Sequence, residues 1–330
     1  MPKLSDSLTI KGVTLRNRIV MPPMANDLSD ESGAVTSRHL DHYRARAEAE
    51  VGLIIVEHSY ITPRGKMTAP QLGIHDDGLV PGLRGLADTI RAGGAASAIQ
   101  LTHAGANTTA EIIGCQPVGP ADVAVPGRGV EPRPLSADEL SELIGLYRDA
   151  ARRAIEAGFD AIEIHGAHGF LLSEFLSPYT NRRTDEYGGS LENRLRFPLE
   201  VITAVREVAG PDYPLLYRFG ASDFMQEGLA LDEAREAAPR LVGVGIDILD
   251  VSGGLCGSRP KDLSGVQGFY VPLAESIKSV VDVPVIAVGG IREASFANSV
   301  IEDGRADLVA VGRELLKNPD WAREALASLQ

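Results

Sequence analysis

The chain has 330 residues, 44% of them hydrophobic and 23% charged, and carries a formal net charge of −13. That acidic balance excludes nucleic acid and anionic membrane as partners, since both require a basic footprint. Cys115 and Cys256 are the only cysteines; they give neither a metal-ligand spacing nor a disulfide framework, no apolar run is long enough to cross a bilayer, and the start MPKLSDSLTI lacks the features of a signal peptide, so a reducing cytoplasm is the expected compartment.

In chain order, short runs rich in Val, Ile and Leu alternate with helix-like stretches. RIVM (18–21) precedes a helical pattern over 36–50, and GLIIVE (52–57) one over 78–92. SAIQL (97–101) leads through a Gly- and Pro-containing loop, 103–135, into a helix over 136–157. Ser136 with Glu139 forms a capping box for that helix, and Gly158 stands where a C-terminal glycine belongs. AIEI (161–164) is followed by a loop, 175–190, and a helix over 190–208; LLYRF (215–219) by a helix over 232–242. ILDVS (248–252) precedes a helix over 271–280 with Pro272 in its first turn, VIAVGG (285–290) one over 293–303, and LVAVG (308–312) closes the series. Continuous apolar runs suit parallel strands buried on both faces. Eight such units predict an α/β fold, a single-domain (β/α)₈ TIM barrel spanning 1–330. A doubly wound sheet is the alternative; no strand is followed by G-x-G-x-x-G with an acidic residue about 20 positions on, as that fold's nucleotide site requires.

Barrels build their sites at the C-terminal ends of strands. The residues there are Pro23-Met24-Ala25, then Glu57-His58, Gln100 leading to His103, His165 with His168, Arg218, Ser252-Gly253-Gly254, Gly289-Gly290, and Gly312-Arg313. Glycines after the last two strands let backbone N–H groups approach a phosphate, and Arg313 adds a forked charge; a tight turn is the bland alternative for Gly289 and Gly290. A buried Arg218 needs an anionic partner, either a ligand that turns negative or a structural Asp or Glu. Gln100 offers one donor and one acceptor group to a ligand edge. His165 and His168 lack the third ligand that zinc would want, so no metal is expected. Two imidazoles can instead hold one carbonyl oxygen and stabilise the enolate formed when hydride arrives at the β-carbon; a structural histidine pair is the alternative.

The stretch HGAHGFLLSEFLSPYTNRRTDEYGGSLENRLRF (165–197) closely resembles the signature of the Old Yellow Enzyme family, FMN-dependent ene reductases. The likeness extends to PPMANDLSDESGAVT (22–36), GLIIVEHSYITPRG (52–65), AIQLTHAG (98–105), YRFGASDF (217–224), DVSGG (250–254), VGG (288–290) and VGRELLKNPDW (311–321). The first two of these and the last look most like the barrel of the 2,4-dienoyl-CoA reductase branch. The resemblance implies FMN across the barrel mouth and NAD(P)H as electron donor. Pro23, Met24, Ala25, His58, Gln100 and Arg218 would line its ring. Ser252, Gly253, Gly254, Gly289, Gly290, Gly312 and Arg313 would hold the ribityl chain and phosphate. His165 and His168 match the pair that binds the activating group of a small-molecule substrate. Barrels of this family often pair, so a homo-oligomer is expected.

Three departures qualify this. Phe170 stands where the family usually has the tyrosine that protonates the α-carbon, so that step must use another donor, with Tyr60, Tyr179 and Tyr270 as candidates, or it is not performed; Phe170 and Tyr270 are expected against the substrate. Ala25 replaces a Cys or Thr that tunes the flavin. The chain ends soon after strand eight, without the iron–sulfur segment of larger relatives, so electrons are expected to pass from NAD(P)H directly to FMN with no iron–sulfur cluster. Reduction of the activated C=C of conjugated carbonyls is the leading expectation. Desaturation, aromatisation, or reduction of a quinone or nitro group, none of which needs α-protonation, is the alternative.

Overall fold

A computed structural model describes residues 1–330 other than 128, 261, 262 and 264. Its strands in chain order are β1 (Leu8–Ile10), β2 (Val13–Leu15), β3 (Ile19–Met21), β4 (Leu53–Tyr60), β5 (Ala96–Thr102), β6 (Val118–Gly119), β7 (Arg133–Pro134), β8 (Ala161–Gly166), β9 (Leu215–Gly220), β10 (Ile248–Ser252), β11 (Val285–Ala287) and β12 (Leu308–Ala310). Its α-helices are α1 (Ser37–Glu48), α2 (Val80–Ala92), α3 (Ala110–Ile113), α4 (Ala137–Glu156), α5 (Leu171–Leu176), α6 (Leu191–Ala209), α7 (Leu231–Gly243), α8 (Val271–Lys278), α9 (Ala294–Glu302), α10 (Arg313–Lys317) and α11 (Trp321–Ser328). Strands β3, β4, β5, β8, β9, β10, β11 and β12 pair in parallel and close on themselves. The fold is the (β/α)₈ barrel, and each of the eight apolar runs supplies one of its strands.

Alternation along these strands separates two cores, since successive side chains point to opposite faces. One parity packs the barrel wall against the helices, with Ile54, Val56, Ile99, Ile162, Ile164, Tyr217 and Val251 in a cluster that includes the inner faces of α2, α4 and α6. The other parity fills the interior with Val20, Leu53, Ile55, Ala98, Ala161, Leu216, Ile248, Ile286 and Leu308. Ile10 and Leu15 join that inner cluster from the β1–β2 hairpin, an element outside the eight predicted runs. Further along the same interior columns the residues turn polar: Gln100 follows Ala98, Glu163 and His165 follow Ala161, Arg218 follows Leu216, Asp250 and Ser252 follow Ile248. This polar end is the C-terminal end of the strands.

Local signals hold the helices where expected. Ser136 accepts from the Glu139 N–H and Glu139 Oε2 accepts from the Ser136 N–H, the reciprocal cap that ends two orphan donors of α4. Gly158 follows that helix at φ +84°, and Pro272 occupies the first turn of α8. No described helix is long and apolar enough to cross a membrane.

Candidate active site

A cavity of about 480 Å³ opens at the polar end of the barrel. Its wall includes Pro23, Met24 and Ala25 after β3, His58 on β4, Gln100 on β5, His165 on β8 and His168 just after it, Arg218 on β9 and Ser252 on β10. Gly289 and Gly290 after β11, and Gly312 and Arg313 after β12, complete the far end. Phe170 and Tyr270 line it as well. Gly253 and Gly254, expected along a ribityl chain, do not. Packing explains both: a side chain on Gly253 would collide with the Tyr270 hydroxyl, and one on Gly254 with the Asp223 carboxylate.

His58 and His168 are each held by a definable hydrogen-bond partner. The Met67 N–H donates to Gln71 Oε1 at 2.6 Å, which fixes the amide orientation. Gln71 Nε2 then donates to the His58 carbonyl and to His58 Nδ1. With Nδ1 accepting, the neutral His58 ring carries its proton on Nε2. His168 has a left-handed backbone, φ +60°, and its N–H donates to the Gly253 carbonyl at 3.1 Å. His168 Nε2 lies 2.7 Å from Ser252 Oγ. With Ser252 donating, the proton of His168 sits on Nδ1. The ring of His165 lies 5.2 Å from that of His168 and 4.4 Å from Phe170, centroid to centroid. Its Nδ1 is buried and lacks a protein partner. Burial is the leading cause that holds both imidazoles well below their ordinary pKa; Arg218 and the neighbouring His58 ring act in the same direction. Both are therefore neutral donors at neutral pH, not cations.

Arg218 has found a carboxylate: Nη1 donates to Asp250 Oδ2 at 2.7 Å. The structural partner weighed from sequence is present, and it stands alongside the cavity exposure, since the guanidinium still lines the wall and its Nε has no partner. Gln100 likewise donates to Glu163 Oε2 at 2.7 Å while facing the cavity.

Of the tyrosines expected as alternative proton donors, Tyr60 donates to the Ser32 carbonyl, and neither it nor Tyr179 lines the cavity. Tyr270 does, but its hydroxyl donates to the Gly257 carbonyl at 2.6 Å, and burial pushes its pKa up. His103 faces a separate cavity beside Cys115 and Arg133. Sequence reading missed Met67, Asn107, Phe269 and Arg292, which also line the site. They come from loops, where no strand periodicity marks a residue as facing inward. Among the described residues no group of three His, Cys, Asp or Glu side chains is arranged to hold a metal.

Arg259, Arg292, Arg313 and Lys317 line the same cavity as Gly289, Gly290 and Gly312, and Arg313 Nη2 lies 3.2 Å from where a Gly290 Cβ would stand. Gly289 at φ +123° and Gly290 at φ +67° hold conformations that side chains rarely adopt, and a Cβ on Gly289 would lie 2.8 Å from the Tyr270 nitrogen. The tight turn is real, and it leaves backbone bare beside the Arg313 guanidinium, which suits a phosphate. The donor set therefore fits FMN: a basic end for its tail, and Arg218, Gln100 and His58 along a wall for a polar ring.

The family model described as NADH:flavin oxidoreductase / NADH oxidase family matches residues 3–330. The chain is 47% identical over 329 residues to an NADH oxidase of Thermoanaerobacter brockii, covering 98% of this chain but 50% of that one, so it spans about half of that relative. It is 44% identical over 327 residues to an NADPH dehydrogenase of a Geobacillus strain, covering 99% and 94% of the two chains. Among solved structures, the Old Yellow Enzyme homologue of Zymomonas mobilis superimposes with a TM-score of 0.86 at 28% identity, covering 100% of this chain and 94% of that one.

Proposed function

Since the chain belongs to the NADH:flavin oxidoreductase / NADH oxidase family, to which Old Yellow Enzyme homologues are similar, and is by that membership an NAD(P)H-dependent flavin oxidoreductase, we propose that it reduces activated C=C bonds of conjugated carbonyl compounds. The barrel, residues 1–330, acts in this reading as one FMN-binding unit. FMN held there would supply the hydride chemistry that links NAD(P)H to the β-carbon of a conjugated carbonyl substrate. Pro23, Met24, Ala25, His58, Gln100 and Arg218 would hold its ring; Gly289, Gly290, Gly312 and Arg313 would hold its phosphate.

The observation that carries the proposal is the pair of buried, neutral imidazoles, His165 and His168, in the same cavity as Arg218 and Gln100. Neutral donors polarise a carbonyl and follow its charge as it becomes an enolate, a contribution of several kcal/mol when preorganised in a dry site. Ser252 holds one ring in register, and Phe170 packs against the other, so neither has to reorganise at the moment of reaction. The α-carbon then needs a proton. Phe170 has none to give, and the Tyr270 hydroxyl is engaged with Gly257. Water reaching the cavity is the donor this reading assigns.

The missing hydroxyl at Phe170 and the engaged one at Tyr270 favour a second reading, in which the physiological step needs no α-protonation: desaturation of a saturated ketone, aromatisation of a cyclic precursor, or reduction of a quinone or nitro group. One experiment separates the two. The purified protein is reconstituted with FMN, reduced anaerobically with NADPH or NADH, and mixed with cyclohexenone or with a benzoquinone. Reoxidation by the enone supports the first reading; reoxidation by the quinone alone supports the second. A protein that takes up no FMN loses both.

A further inference from the structure

Beneath the cavity the barrel interior passes from apolar to charged within one layer. Gln100, Glu163, Arg218 and Asp250 stand two residues beyond Ala98, Ala161, Leu216 and Ile248, and none is more than 4% exposed. Gln100 Nε2 donates to Glu163 Oε2 at 2.7 Å, and Arg218 Nη1 donates to Asp250 Oδ2 at 2.7 Å. Each carboxyl group therefore has one oxygen satisfied. The other oxygens, Glu163 Oε1 and Asp250 Oδ1, are buried with no donor. Yet the two carboxyl groups are within hydrogen-bond reach of one another. Two anionic oxygens so placed would repel strongly in a medium of low dielectric. A single proton between them satisfies both.

We infer that Glu163 is a neutral carboxylic acid whose O–H donates a hydrogen bond to Asp250, and so acts as a positioning residue for the Arg218 charge at the floor of the cavity. The proton belongs to Glu163 because Asp250 has a guanidinium beside it, whereas the second partner of Glu163 is the uncharged amide of Gln100. Burial first, and then the charge of Asp250, push Glu163 well above the usual carboxylate range. Burial also raises Asp250, but Arg218 opposes it. The other titratable groups facing this layer are His165 on the same strand, His168, and His58 across the cavity, all lowered mainly by burial. None adds a second positive charge. An ionised Glu163 would leave two carboxylates against one arginine, and an anionic ligand at Arg218 would be repelled. With Glu163 neutral, the floor is balanced, and Arg218 can face such a ligand.

The test has two arms. Glu163→Gln keeps the shape, accepts from Gln100 and donates an amide N–H to Asp250. The infrared difference spectrum of wild type minus Glu163→Gln, as purified at neutral pH, is expected to contain the carbonyl stretch of a protonated carboxyl. Labelling glutamate with ¹³C should shift that band, and Glu174→Gln, which removes another buried carboxyl, should leave it in place. The proposal is overturned if the band is missing, or if it responds to aspartate labelling instead. This arm reads the proton whether or not the protein uses FMN. In the second arm, which rests on the FMN reading, Glu163→Gln should bind FMN within about threefold of wild type between about pH 6 and 8. Binding tightened by about tenfold or more would mean that the substitution removed a negative charge, and would overturn it too.

Discussion

In the proposed reaction, Phe170 is the residue that decides how the α-carbon is protonated. Its ring lies 4.4 Å from His165 and 5.3 Å from His58, so it fills the space beside the clamp without contributing a proton. A positioned general acid contributes roughly a hundredfold to ten-thousandfold. Phe170→Tyr should therefore accelerate reoxidation of the reduced protein by an enone by about tenfold or more, with quinone reduction unchanged. Stopped-flow traces of the two half-reactions measure this. An unchanged enone rate in a folded variant would mean that another group already supplies the proton. The Phe for Tyr exchange was visible in the sequence because it interrupts a long signature. The partners of the histidines were not. Gln71, which fixes the tautomer of His58, meets it only when the loop after β4 folds back, and Ser252, 84 positions from His168, becomes its neighbour only through the packing of the barrel.

At the scale of elements, legibility followed burial on both faces. Strands such as β8 and β9 are buried along their whole length, and their largely apolar runs, broken by Glu163, His165 and Arg218 toward the C-terminal ends, suit a parallel sheet covered on both faces. The β1–β2 hairpin escaped because each strand is three residues long and presents only one buried side chain, Ile10 or Leu15, to the barrel floor. Helix α5 escaped because it lies within the signature segment and is buried throughout, without an amphipathic stripe. The β11–α9 turn makes a prediction of its own. Gly289→Ala places a methyl group against the Tyr270 backbone at a φ of +123°, a backbone strain worth about 1–3 kcal/mol. Gly304, at φ +71° after α9, has open space around it and serves as the control for strain without contact. If the turn holds the phosphate, Gly289→Ala should weaken FMN binding by about tenfold or more while Gly304→Ala leaves it unaltered, by fluorescence titration. Equal losses would remove the turn from the phosphate site.

Over the whole molecule, the charge of −13 sits against a cavity whose wall includes Arg259, Arg292, Arg313 and Lys317. The histidines show the opposite economy, since burial strips several of them of charge. His42 and His103 are each pushed down to about 4, by burial above all, with Arg46 and His39 adding to the effect at His42. Such a group binds fewer protons folded than unfolded between its folded pKa and the ordinary histidine value of about 6.5, so stability rises with pH across that window and falls as pH drops through it. For His103, which is 2% exposed, the loss between neutral pH and about pH 5 amounts to about 2 kcal/mol. His103 Nδ1 accepts from the Gly105 N–H at 3.0 Å, a role that an asparagine oxygen can take over without titrating. His103→Asn should thus shrink the fall in thermal midpoint between about pH 7 and pH 5 by about 3 °C, given the unfolding entropy of a chain this long. Because His103 lies outside the active cavity, this variant should keep its FMN affinity, which separates a global proton linkage from one acting through the ligand. Differential scanning calorimetry at the two pH values decides it; an identical pH slope in wild type and variant would show that His103 takes up its proton without unfolding.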